Sequence, residues 1–203
     1  MYRIAIASYD RPQQLISKTF NLLQRHKINF KTIDLFLEND DQHLLYEQAF
    51  MNSKFHNKQF NVYLSNTNGI GAKRNFIRDF YSKKCLEDDM FTKNICCIDD
   101  DINNIVNWNI PINNLDLFIN NAFEETSKRD LNLWGVSGFD NIFYLKRTIT
   151  TNLKYICGAF CGFIIDLDKE CLWTDFDHYE DVDFTCQHFK RDGGVVKKML
   201  IDS

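Results

Sequence analysis

Short apolar runs alternate with helical patterns four times in the first half of this chain, and no other feature limits its fold as strongly. The runs are RIAIAS (residues 3–8), KTIDLFL (31–37), FNVYL (60–64) and NICCI (94–98). Between them lie stretches with helical spacing. Pro12 opens one carrying Leu15, Ile16, Phe20, Leu22 and Leu23. Asp40 or Asp41 is expected to cap a second, with Leu44, Leu45, Tyr46, Ala49 and Phe50. A third carries Asn75, Phe76, Ile77 and Phe80. Strands separated by helices at this spacing form a parallel sheet with helices over its faces.

The second half reads differently. One helix is expected over residues 115–126, followed by the strand-rich stretches LWGVSG (133–138), IFYLKR (142–147) and KYICGAFCGFIID (154–166). A helical stretch over 179–189 comes next, then Gly193-Gly194 and a closing strand, VVKKMLI (195–201). With 203 residues, no repeat and no linker, the chain fits one domain. Residues 1–107 form the α/β half and 108–203 the mixed half.

The fourth strand runs straight into Asp99, Asp100 and Asp101. In an open α/β sheet, ligands bind beyond the carboxyl ends of the strands. Side chains alternate along an extended chain, which puts Asp99 and Asp101 on one side. Two converging carboxylates repel unless a cation joins them. Mg²⁺ or Mn²⁺ suits such oxygen ligands and can also grip a diphosphate. The competing reading is a solvated turn, with Asp101 capping a following helix.

Three other stretches bear on the same place. SYDRP (8–12) ends the first strand, and Tyr9 can lie on a nucleobase or belong to a turn before Pro12. NTNGIGAKRNFIRDF (66–80) is a glycine-hinged loop opening a helix, where Lys73 and Arg74 can meet a phosphate or a base. It follows the third strand and lacks a third glycine, so it is not a dinucleotide fingerprint. HYEDVDFTCQHF (178–189) groups Glu180, Asp181 and Asp183 in a first helical turn. Such acids favour the helix dipole, and one facing a substrate can act as general base.

Composition removes other classes. Net charge is −4, without the basic excess of a protein that lives on phosphate contacts. The seven cysteines show no CxxC pair, so they read as buried thiols in a reducing cytosol, with little support for zinc. No apolar run reaches the ~18 residues needed to span a bilayer, and the start MYRIAIASYDRP lacks a signal peptide's apolar region. A cytoplasmic enzyme is expected, or one in a host cytoplasm if the source is viral. His178 and His188 read as surface or packing residues.

Taken in order, the segments IAIASYDRP, GIGAKRNFIRDF, CCIDDDI, GAFCGFIIDL and YEDVDFT resemble a GT-A fold glycosyltransferase of the family-2-like kind. CCIDDDI matches the DXD-type metal motif, and YEDVDFT the acidic motif that often supplies the base in inverting members. The set is also similar to glycosyltransferases of phages and large DNA viruses, some acting on hydroxymethylated DNA bases. The resemblance covers most of the chain. It implies a nucleoside-diphosphate sugar donor, UDP-linked by preference, and Mn²⁺ or Mg²⁺.

Carried over by residue, it implies that Asp101 ligates the metal, that Asp99 shares it or meets the ribose, and that Asp100 points away or braces the loop. Ser8, Tyr9, Arg11 and Gly71 belong to the nucleotide pocket, while Lys73 and Arg74 hold the base or diphosphate. Gly158, Ala159 and Phe160 form a sugar and acceptor wall. Asp181 is the first candidate for the base, then Glu180 and Asp183. The acceptor is a glycan, another small or cellular molecule, or a modified DNA base. The chain departs from the family by ending soon after its last strand, so it is either compact or the catalytic part of a longer protein. Two rivals share these features. One is a nucleotidyltransferase, although SYDRPQQL stands where its glycine-rich basic motif belongs. The other is a nucleotide-sugar-binding module without catalysis.

Overall fold

The computed structural model describes residues 1–107, 110–136 and 149–198. The stretch IFYLKR and the tail MLI lie outside the described residues. The elements run β1 (Arg3–Ala7), α1 (Pro12–Leu15), a π-helical segment (Ile16–Phe20), α2 (Asn21–Arg25), β2 (Ile33–Leu37), α3 (Asp40–Met51), β3 (Asn61–Leu64) and α4 (Ile70–Glu87). Then come β4 (Asn94–Ile98), the short pair β5 (Val106–Asn107) and β6 (Ile110–Pro111), and α5 (Leu115–Ser127). The remainder is β7 (Leu133–Gly135), β8 (Ile149–Thr150), β9 (Phe160–Ile164), α6 (Glu180–Asp192) and β10 (Val196–Lys198).

One eight-stranded sheet takes the order β3-β2-β1-β4-β9-β7-β10-β8. All its strands but β8 and β9 run the same way. This is the mostly parallel, helix-flanked α/β sheet of a GT-A-like fold. β2 and β3 lie to one side of β1 and β4 to the other. The chain therefore reverses its direction of travel between β1 and β4, and such a switch point opens a crevice at the strand ends.

The helices divide the core into two layers. One face buries Phe20 among Phe30, Phe50, Phe55 and Phe60, with Leu15, Leu23 and Tyr46 beside them. The other packs Ile77, Tyr81 and Cys85 of α4 over Ala5, Phe36 and Ile95. β2 is buried along its whole length, as a strand covered on both faces must be. Its Asp34 is carried inside with partners. Arg3 grips it with two nitrogens, Tyr81 donates at 2.6 Å and Asn61 at 2.7 Å.

Three expectations need correction. Asn39, not Asp40 or Asp41, caps α3, accepting from Gln42 N–H at 3.0 Å. No helix follows Asp101, so the cap proposed for it does not exist. The long strand expected over 154–166 shrinks to β9, because α6 takes the backbone groups before it. Thr185 accepts from Ile156 N–H at 3.2 Å and Asp181 from Gly158 N–H at 3.1 Å. No helix among the described residues is long and apolar enough to cross a membrane.

Candidate active site

The carboxyl ends of β1 to β4 meet around a cleft of about 350 Å³. Ser8, Tyr9 and Arg11 enter it after β1, Glu38 after β2, Asn68 to Ile70 after β3, and Asp99 after β4. Lys73 and Arg74 reach it from the first turns of α4. The cleft thus gathers Ser8, Tyr9, Arg11, Lys73, Arg74 and Asp99. Gly71, Asp100, Asp101, Gly158, Ala159, Glu180, Asp181 and Asp183 stand outside its lining.

The acid triplet is a braced turn. Thr19, wholly buried in the π-helical segment, donates to the Asp99 carbonyl at 2.7 Å and accepts from Ile102 N–H at 3.0 Å. A π-helix adds a residue to the turn and re-aims the side chains within it. Asp99 N–H donates to Ala159 C=O at 2.9 Å, so Ala159 supports the turn through its backbone. Asp100 is fully buried and takes a hydrogen bond from Ser8. Arg11 Nη2 lies 2.9 Å from its Oδ1, without the alignment of a hydrogen bond. Asp100 is therefore the brace, and Tyr46, donating to Ser8 and accepting from Arg11 N–H at 3.1 Å, anchors it to α3.

Asp99 and Asp101 keep partial access to solvent, at 34% and 39% of their side chains. Arg74 lies 3.4 Å from Asp99, and Arg11 3.4 Å from Asp101. Desolvation pushes the Asp99 carboxyl up to about 6, with Arg74 opposing and the neighbouring acids adding to the rise. Burial also raises Asp100. Burial lowers Lys73, whose Nζ donates to Ser8 C=O at 3.2 Å and lies 5.5 Å from the Tyr9 ring centre. Burial opposes the Arg74 cation, but Asp99 and Glu180 outweigh it and the net shift is upward.

These residues fit a hard divalent ion. The donors are carboxylate oxygens, those of Asp99 and Asp101 keep access to solvent, and Asp99 sits in a desolvated place that a cation would favour. Among the described residues no group of three or more His, Cys, Asp or Glu can hold a metal unaided. Mg²⁺-type sites need only one or two carboxylates when phosphate oxygens and water complete the shell.

The acidic segment reaches the triplet through Arg74, which bonds Glu180 at 2.5 Å as well as meeting Asp99. Both Asp181 oxygens already have partners. It accepts from Tyr155 at 2.5 Å, Gly158 N–H at 3.1 Å and Val182 N–H at 2.9 Å. Asp183 bonds Gln187 at 2.6 Å. Tyr179, just before α6, sits in the left-handed region at φ 63°, a strain that often marks a functional site. His188 is buried against Phe184 and Asp192, a packing residue.

The glycines serve close packing. A Cβ on Gly158 would stand 1.9 Å from Arg74 Nη1, so the space there seats the guanidinium. A Cβ on Gly71 would stand 2.1 Å from the Phe176 carbonyl oxygen. Gly71→Ala is expected to push the 173–179 segment off α4 and cost roughly 1–3 kcal/mol, as overpacking does. A urea-unfolding midpoint equal to wild type would contradict that packing. Asn75 holds the same segment with both ends of its amide, bonding Thr174 C=O at 2.7 Å and N–H at 3.0 Å.

The sequence reading missed Glu38, Thr19 and Tyr46. Glu38 was legible in principle, being an acid directly after a strand of the parallel set. Thr19 and Tyr46 carry no local signal, because only the packing of α1 to α3 on the sheet brings them near.

Comparison with known structures follows from this geometry. A mannosyltransferase, PcManGT from Pyrobaculum calidifontis in complex with GDP-Man and Mn²⁺, matches with a TM-score of 0.55 at 10% identity. The match covers 99% of this chain and 55% of that one, so this chain spans about half the mannosyltransferase's length. A 4-diphosphocytidyl-2C-methyl-D-erythritolsynthase from Anaerococcus prevotii matches with a TM-score of 0.49 at 12% identity, over 98% of this chain and 86% of that one. At these identities the likeness concerns the fold alone. No family model and no curated protein matches the sequence.

Proposed function

We propose that this chain is a metal-dependent glycosyltransferase that moves a sugar from a nucleoside-diphosphate sugar to an acceptor hydroxyl. The observation that carries this reading is the cleft. It sets Arg11, Lys73 and Arg74 around Asp99 at the switch point of a GT-A-like sheet, with Asp100 and Asp101 held beside Arg11. The similar mannosyltransferase was solved with GDP-Man and Mn²⁺, which supports a nucleotide sugar and a divalent ion as occupants.

Tyr9, half exposed at the cleft edge, offers its ring to the base, and Glu38 offers a carboxylate to the base or ribose. Arg11 and Arg74 face the diphosphate. Asp101, with Asp99 beside it, would hold Mn²⁺ or Mg²⁺, whose charge eases departure of the nucleoside diphosphate. Glu180 moves ahead of Asp181 as the base that takes the acceptor proton, because it shares Arg74 with Asp99 while both Asp181 oxygens are engaged. Attack from that side inverts the anomeric centre.

The rim beside α6 exposes Trp173, Phe176 and Tyr179 among Asp175, Asp177 and Asp183. Aromatic faces with carboxylates suit a hydroxyl-rich ring, and the acids repel a polyanion. This favours a glycan or small acceptor over a hydroxymethylated base in duplex DNA.

A thermal-shift panel of nucleoside diphosphates and nucleotide sugars, each with Mn²⁺, Mg²⁺ or EDTA, tests the reading. A ligand bound by the native state raises the melting temperature. One nucleoside diphosphate, UDP first, is expected to stabilise the protein only with metal. No shift with any nucleotide and any metal would refute the donor site. Release of pyrophosphate in turnover would make the enzyme a nucleotidyltransferase instead.

A further inference from the structure

Away from the cleft, α4 buries a second arginine that no acid compensates. Arg78 lies one turn beyond Arg74 and is 5% exposed. Its Nη2 donates to the neutral amide oxygen of Asn75 at 2.5 Å, and the guanidinium carbon stands 4.0 Å from the Phe184 ring centre. Its Nε has no hydrogen-bond partner, and no carboxylate of the described residues lies within ion-pair distance. Arg74 has Asp99 and Glu180, and Arg191 has Asp192.

Arg78 lines a cavity of about 210 Å³ between α4, α6 and the 165–172 segment. Its walls include Phe163, Leu167, Leu172 and Phe184, with Ser82 adding a hydroxyl. Asp166, Lys169, Glu170, His188 and Arg191 also border it; Lys169 is bound to Asp166 and Asp192, and His188 and Arg191 to Asp192. Buried charges in proteins are paired, because an unpaired one loses its hydration without return. A guanidinium presents a planar fork that matches a carboxylate or a phosphate. Burial also holds the Arg78 cation down, to about 10, as expected where no anion supports it.

We propose that this cavity binds a small organic oxyanion, with its charged end on Arg78 and a short apolar body against Phe163, Leu167, Leu172 and Phe184. The site is separate from the donor cleft and does not rest on the glycosyltransferase reading.

Thermal shift with butyrate, hexanoate, inorganic phosphate and chloride at matched ionic strength tests it, on wild type and on Arg78→Met. Methionine keeps an unbranched side chain in place without the charge. The carboxylates are expected to raise the wild-type melting temperature saturably, beyond chloride, and to leave Arg78→Met unmoved. Without added anion, Arg78→Met is expected to melt at or above wild type, because an uncompensated charge has been removed. A wild type that responds no more to carboxylate than to chloride overturns the proposal. So does an Arg78→Met protein that melts well below wild type, since Arg78 would then be a packing residue held by Phe184 and Asn75. A response to phosphate alone overturns the apolar-body assignment. Nucleotide-dependent stabilisation in the cleft is expected to survive Arg78→Met, which separates this result from any failure at the donor site.

Discussion

With Asp101 as the proposed metal ligand, Asp101→Asn is expected to lower the proposed metal-dependent sugar transfer by about 100-fold or more, since losing such a ligand would forfeit several kcal/mol of charge stabilisation. The fold should not suffer. Asp101 is 39% exposed, and its recorded partner is Arg11 at 3.4 Å. The melting temperature without ligand should therefore stay near wild type, while metal-dependent stabilisation by the nucleoside diphosphate disappears. Asp100→Asn makes the informative contrast. Asp100 is fully buried, bonded to Ser8 and pressed against Arg11, so its loss should reduce stability as well as activity. Full metal-dependent turnover in Asp101→Asn would remove the metal assignment. Equal melting of the two variants would remove the distinction between ligand and brace.

Asp34→Leu is expected to destabilise the protein by about 3–5 kcal/mol, the usual cost of removing one partner from a buried ion pair. Asp34 is 1% exposed and collects Arg3, Tyr81 and Asn61 near the start of β2. Leucine fills much of the volume but leaves those three donors without an acceptor. For a chain of this size the melting temperature should fall on the order of 10 °C. Asp34→Asn keeps an acceptor for one or two of them and should cost less. A leucine variant melting within about 2 °C of wild type would mean that the donors find water or new partners, which the buried Tyr81 hydroxyl makes physically difficult.

Both predictions turn on a distinction that the chain does not display locally. Asp34, Asp99, Asp100 and Asp101 are all acids on or just after an apolar strand. Asp34 lies inside a fully covered strand and is a structural counter-ion. Asp100 lies inside a turn and is a brace. Asp99 lines the cleft, and Asp101 stays partly exposed beside Arg11. Alternation along an extended chain was expected to set Asp100 apart from its neighbours, and Asp100 is buried while Asp99 and Asp101 stay partly exposed. It did not foresee that the triplet is a turn held by Thr19, because Thr19 belongs to a helix expected to be regular. The glycines were similarly ambiguous. Gly158 was expected in a sugar and acceptor wall, and the place its Cβ would take is filled by Arg74, since a missing Cβ signals close approach without naming what approaches.

By itself, the sequence determined the alternation of β1 to β4 with their helices, hence a parallel sheet, and so the edge at which a ligand is expected. Those follow from period and chain order, which are local properties. Only the tertiary structure decided the insertion of β9 antiparallel beside β4, the bridge from Asp99 through Arg74 to Glu180, and the lone charge of Arg78. Each depends on which distant group fills the space beside a side chain. In a close-packed interior that space is set by every element at once, and no single stretch of sequence records it.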